Sequence, residues 1–259
     1  MRTFFHSFCI FFLILSCKQD TSKNTMSNTI QAPITKQISK ELSKHNDIRV
    51  DEFYWLKDRE NQEVIDYLND ENNYYDAKTA HTKDFQNSLF EEMESRIKED
   101  DSSVPYKFNG YWYITRYEKG KDYPIYTRKK ESLTATEELL FDCNKMAKGH
   151  SYFRLVGLNI SPDNERAAFA LDTIGRRQYT LYIKDLKSDK ILEDKVDNCT
   201  GGSTWANDNQ TLFYTLKNET TLRSEAVYRH ELGTSSSEDV LVFEEKDDTF
   251  GVGVYKTKS

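Results

Sequence analysis

Ser161-Pro162-Asp163-Asn164-Glu165-Arg166-Ala167-Ala168-Phe169-Ala170-Leu171 is a polar turn that runs straight into an apolar strand. A second turn at Ile174-Gly175 leads to another strand at Tyr179–Leu186. The same plan returns further on. Trp205-Ala206-Asn207-Asp208-Asn209-Gln210 opens Thr211–Leu216, and Val227–Leu232 follows. Phe169 and Phe213 lie 44 residues apart, and Tyr182 and Tyr228 lie 46 apart. An earlier pair, Tyr111–Arg116 and Tyr123–Thr127, flanks the Gly-containing turn Glu118–Asp122 and offers Trp112 and Tyr126 at the equivalent places. Multi-strand repeats of roughly 40–50 residues indicate propeller blades. In each, a polar turn leads into an apolar inner strand and a hairpin leads on to an outer one. A meandering antiparallel sheet is the alternative, but spacing, turn chemistry and aromatic positions agree on blades. Leu241–Glu244 and Val252–Thr257 read as strands of a further unit.

Upstream of these repeats the apolar period changes from two to about four. Val64, Leu68 and Tyr75 share one face, and Phe85, Leu89, Met93 and Ile97 recur every four residues. Two amphipathic helices with a break near Lys78–Thr82 are expected, their stripes needing a partner. Still earlier, residues 18–44 are polar and nearly free of aromatics, which reads as a tether. The chain begins with Arg2 and an apolar run, Phe4–Leu15, too short for a bilayer span of roughly 20 residues and suited to a signal-peptide core. It ends at Ile14-Leu15-Ser16-Cys17, which resembles a bacterial lipobox, so lipid attachment at Cys17 is expected. An ordinary cleaved signal with an incidental cysteine is the alternative. The domain reading is a lipoprotein-type signal at 1–16, a tether at 17–44, a helical segment at 45–100 and a partial propeller at 101–259. It places the protein in the bacterial cell envelope, held to the membrane by lipid, or in the cytoplasm if the leader is not used.

The 259 residues carry 36 Lys+Arg against 43 Asp+Glu, a net charge of −7. An electrostatic nucleic-acid binder would need a basic face, so no nucleic-acid partner is expected. Charged residues at 31% exclude a polytopic membrane protein, and 13% aromatics argue against disorder. Cys143 and Cys199 are read as two semi-buried thiols. Neither they nor the scattered His45, His81, His150 and His230 make a metal motif. No cofactor is expected. Two stretches approach Gly-x-Ser-x-Gly: Gly149–Phe153 around Ser151, and Gly201–Trp205 around Ser203. Both put an aromatic where the second Gly belongs and neither follows a parallel strand, so both read as loops between blades. Glu99-Asp100-Asp101 reads as a solvated helix end. Asp163, Asn164, Asn207, Asp208 and Asn209 read as turn formers rather than calcium ligands.

His45–Asp58, with Arg49, Asp51 and Trp55-Leu56, resembles the entry segment of the prolyl oligopeptidase family. Asn46 stands where that family commonly has Gly, and Glu52-Phe53 where it has Pro-Tyr. Arg96–Pro105, Gly120–Tyr126, Gly149–Phe153, Ser161–Asp163, Tyr179–Leu181, Trp205–Asp208 and Val227–His230 resemble its oligopeptidase B (protease II) branch. The resemblance covers about residues 32–259. It implies a mainly β fold with an N-terminal helical segment and a partial, about three-blade β-propeller of a seven-bladed type. It also implies an α/β-hydrolase domain outside this chain. Such enzymes are serine peptidases that cut short basic peptides after Arg or Lys, and their catalytic triad lies in the hydrolase domain. No catalytic residue is therefore expected here. The chain reads as the front portion of such a peptidase, supplying gating and docking and inactive alone. A lipid-anchored propeller-like binding or scaffold protein is the rival.

Overall fold

The structure is a computed structural model that describes residues 30–257. Cys17 and the apolar run before it lie outside the described residues. The described residues divide into two compact units, one ending at Arg96 and the other beginning at Ile97.

In the first unit, β1 (Lys40–Lys44) and β2 (Asp47–Asp51) form an antiparallel hairpin. Its two-residue turn, His45-Asn46, has φ of 54° and 64°. Asn tolerates the left-handed region almost as Gly does, which accounts for Asn46 here. The polar segment is thus not a tether to residue 44. Trp55 Nε1 donates to the Lys36 carbonyl at 2.9 Å, and Ile38 N donates to Glu52 O at 2.9 Å. Polar composition here belongs to a strand pair exposed on both faces. Helix α1 (Gln62–Thr79) starts at Asn61, whose side chain accepts from Glu63 N, and buries Val64. A 3-10 turn at Ala80–Thr82 separates it from α2 (Lys83–Ser95). Leu68, Tyr75, Phe85, Phe90 and Met93 stay exposed.

The second unit is wholly antiparallel. One sheet holds β3 (Tyr106–Phe108), β4 (Tyr111–Arg116), β5 (Ile125–Lys130) and β6 (Glu137–Asp142) in sequence order. A one-turn helix α3 (Cys143–Met146) and a loop then lead to a seven-stranded sheet. Its strands are β7 (Arg154–Ile160), β8 (Arg166–Asp172), β9 (Tyr179–Asp185), β10 (Lys190–Trp205), β11 (Thr211–Lys217), β12 (Ser224–Glu231) and β13 (Val240–Glu244). The sixteen-residue β10 pairs with β9 from Lys190 to Cys199, then with β11 from Cys199 to Trp205. It is therefore the outer strand of one blade and the inner strand of the next. Counted this way the unit is three four-stranded blades, and neither sheet closes on itself.

Alternation of side chains packs the blades on each other. Along β8, Ala167 and Phe169 enter a core shared with Tyr113, Leu140, Phe141 and Phe153 of the first blade and its following loop. Ala168 and Ala170 enter the opposite core, with Leu181, Trp205, Leu212 and Tyr214. Both faces of a middle strand are thus buried.

Three expectations need correcting. The apolar strand after each polar turn is a middle strand, not the inner one; β3, β7 and the second half of β10 are inner. Phe169 stacks on its rung partner Tyr182, and Tyr214 does the same with Tyr228, so Phe169 corresponds to Tyr214 rather than Phe213. Residues 252–257 form no strand, since the ladder contact there is the single bond from Val252 N to Ser224 O at 3.0 Å.

Candidate functional site

The inner strands of adjacent blades lie side by side without forming a ladder. Asn159 Nδ2 donates to Ser203 O at 2.8 Å, and Trp205 Nε1 donates to Asn159 O at 3.0 Å. Gly157 and Gly201 permit this approach: a Cβ on Gly157 would sit 1.7 Å from the Gly201 carbonyl oxygen. Gly201–Trp205 is consequently part of a strand, not the expected loop, because its small residues let two backbones meet.

At one end of these strands three asparagines, Asn109, Asn164 and Asn209, occupy left-handed turn positions. They also link the blades. Asn109 Nδ2 donates to Pro162 O at 2.7 Å, Asn164 Nδ2 to Asn109 O at 3.2 Å, and Asn209 Oδ1 accepts from Asp163 N at 2.9 Å. Asp208 accepts from the backbone N–H groups of Gln210 and Thr211 and from the Thr211 hydroxyl, which hold its carboxyl below the usual range. These side chains are spent on turns. Beside them opens a cavity of about 400 Å³ lined by Phe108, Asn159, Ile160, Pro162, Trp205 and Lys256. Lys256 Nζ donates to Asn207 Oδ1 at 2.5 Å. An apolar wall with one cation can receive or exclude a peptide side chain but offers no nucleophile paired with a base.

Neither Ser151 nor Ser203 lines this cavity. Ser151 is exposed in the loop before β7, with no side-chain hydrogen bond among the described residues. Ser203 Oγ is buried without a partner, so nothing there could take its proton. Cys143 and Cys199 are both free and buried. Burial pushes Cys143 up to about 12 and Cys199 up to about 11, which makes inert thiols of both. Glu99 accepts from Gly120 N at 2.9 Å and Asp101 from Lys98 at 3.2 Å, so that acidic run pins a hairpin and a neighbouring lysine.

A polar centre that sequence reasoning missed lies between the second and third blades. His230, 1% exposed, is hydrogen-bonded through Nδ1 to Asp239 Oδ1 at 2.7 Å and through Nε2 to Asp194 Oδ1 at 3.1 Å. Tyr214 donates to Asp239 Oδ2 at 2.7 Å, and Gly233 N donates to Asp194 at 2.6 Å. Burial first, and then the Asp239 carboxylate, push the Tyr214 hydroxyl upward. Through its two ring nitrogens the imidazole bridges two blades. Its burial leaves no route for substrate. The one sequence signal was His230 on the inward side of an alternating strand. Its partners stand 36 and 9 residues away.

Residues 33–259 match the family described as prolyl oligopeptidase, N-terminal beta-propeller domain. The chain is 42% identical over 231 residues to dipeptidyl aminopeptidase BI of Pseudoxanthomonas mexicana, covering 83% of this chain and 32% of that protein. It is 36% identical over 222 residues to Protease 2 of Moraxella lacunata, again covering 83% and 32%. Oligopeptidase B from Leishmania major superposes with a TM-score of 0.78 at 32% identity, over 88% of this chain and 34% of that one. Oligopeptidase B from Trypanosoma brucei, with covalently bound antipain in a closed form, gives 0.76 at 28%, over 86% and 34%. The chain thus spans about a third of the length of the relatives it matches. Three stacked four-stranded blades, a helical lead-in and this match over 33–259 place the chain in the prolyl oligopeptidase family of serine peptidases, of which it carries the N-terminal propeller.

Proposed function

We propose that the chain supplies a gating and docking portion of an oligopeptidase B-like peptidase that cleaves short peptides after Arg or Lys. The observation that carries this reading is the set of inner strands and Asn turns around a cavity, with no activated nucleophile among the described residues. In the complete enzyme, serine attack would form an acyl-enzyme and backbone N–H groups would hold the oxyanion. The blades would admit peptides and exclude folded proteins. We further propose that Cys17 carries lipid and holds the protein in the bacterial cell envelope. No helix among the described residues is long and apolar enough to cross a membrane.

A second reading follows from the likeness to dipeptidyl aminopeptidase BI. A dipeptidyl peptidase would need a free substrate amino terminus. The complete enzyme, isolated from its own cells, separates the two. Hydrolysis of N-blocked Arg and Lys substrates, with casein left intact, is expected. Hydrolysis restricted to substrates with a free amino terminus would favour the second reading. Metabolic labelling with a fatty acid should mark the protein and should vanish in Cys17→Ala; unchanged labelling would refute the anchor.

A further inference from the structure

The end of the blades opposite the Asn turns is rich in cations, several of them in no ion pair among the described residues. In the first blade a cleft of about 410 Å³ is lined in part by Lys121, Lys145 and Lys148. The loop that follows carries Tyr152 to the hairpin of the second blade, where Tyr152 packs against Gly175. Arg154 opens β7 opposite Asp172, and Arg176 and Arg177 are exposed at the hairpin tip.

At this end Asp122 stands exposed beside Lys121, and other carboxylates are already committed. Glu118 and Glu137 pair with Arg116, and Asp142 pairs with Lys145. Asp172 is buried and accepts from Ile174 N, Gly175 N and Arg177 N. Lys217 adds another cation, donating to the Arg177 carbonyl at 2.7 Å. Lys121, Lys148, Arg154, Arg176 and Arg177 stand in no ion pair among the described residues, whereas Arg116, Arg128, Arg166 and Arg223 all do. Arg59 and Arg229 are likewise in no ion pair among the described residues, so what sets this end apart is the grouping of five such cations around one cleft and one hairpin.

We propose that this end of the first two blades docks an extended polypeptide segment rich in Asp and Glu. Charge complementarity selects the partner, the cleft and the loop give it a path, and Tyr152 and Ile174, 36% and 69% exposed, supply apolar contact beside the cations. A nucleic acid fits less well, because its continuous charge would meet the acidic remainder of the surface.

Fluorescence anisotropy of a labelled oligoglutamate, titrated with the chain at low salt, tests this. Binding that weakens with salt is expected, and Arg176→Glu/Arg177→Glu should weaken it about tenfold or more. The matched reversal Lys187→Glu/Lys190→Glu, in the β9–β10 turn at the other end, should change it less than about twofold. The neutral variant Arg154→Gln/Arg176→Gln/Arg177→Gln, checked by circular dichroism, covers any folding defect of the reversal and should also lose binding. Absence of binding by the unaltered chain, equal loss in both reversed pairs, or tighter binding of single-stranded DNA than of oligoglutamate would each overturn the proposal.

Discussion

Gly157 and Gly201 set a test of how closely the inner strands must approach. Gly157 sits at φ 65° with a backbone oxygen in the place its Cβ would take, while Gly120 sits at φ 70° with nothing within 4 Å. Gly157→Ala should therefore cost more than about 3 kcal/mol, from strain and from a forced separation of backbones. Gly120→Ala should cost about 1–2 kcal/mol, from strain alone. Urea denaturation of both variants checks this, and equal losses would remove the close contact from the account. His230→Leu should cost about 3–5 kcal/mol, because two buried Asp side chains lose their shared hydrogen-bond partner. A change below about 1 kcal/mol would mean that Asp194 and Asp239 are satisfied in another way. Asn164 and Asn209 were legible as turn formers, since short polar side chains before an apolar run have a local cause, whereas Asn109 was not singled out. Their second role, joining blades, was not legible, because it joins residues some fifty positions apart.

At the scale of elements, the middle strands announced themselves and the inner and outer ones did not. Ala167–Ala170 are buried on both faces, and Leu181 and Ile183 are buried beside a half-buried Tyr182, so they read as apolar strands. Strand β10 reads as polar because its first half is an outer strand and its second half an inner one. Phe169→Ala, in the core between the first two blades, should cost about 3–5 kcal/mol. Asp172 gives the sheet a pH dependence. Burial alone would raise its carboxyl, but the N–H groups of the β8–β9 hairpin outweigh it and hold the carboxyl below the usual range. A depressed folded value means the contribution is fully present above the unfolded value of about 3.9 and is lost as pH falls through the folded one. Urea midpoints should fall more steeply below about pH 4 in the unaltered chain than in Asp172→Asn. Parallel profiles would show that the carboxylate adds nothing.

At the scale of the molecule, the last strand stands out. Val240, Leu241, Val242 and Phe243 of β13 are each about half exposed, at the edge of a seven-stranded sheet. Such an edge templates pairing between chains, so the isolated chain should self-associate. Val242→Lys should reduce light scattering on warming; no reduction would place the liability elsewhere. The propeller and the family were legible because repeat spacing and short motifs are carried by local sequence. The expectation of no catalytic residue rested on the family's architecture alone, since no single residue announces it. The most direct test is hydrolysis of an N-blocked Arg ester by the purified 259-residue chain. The account predicts no turnover above background. Turnover abolished by a serine-directed inhibitor would contradict it.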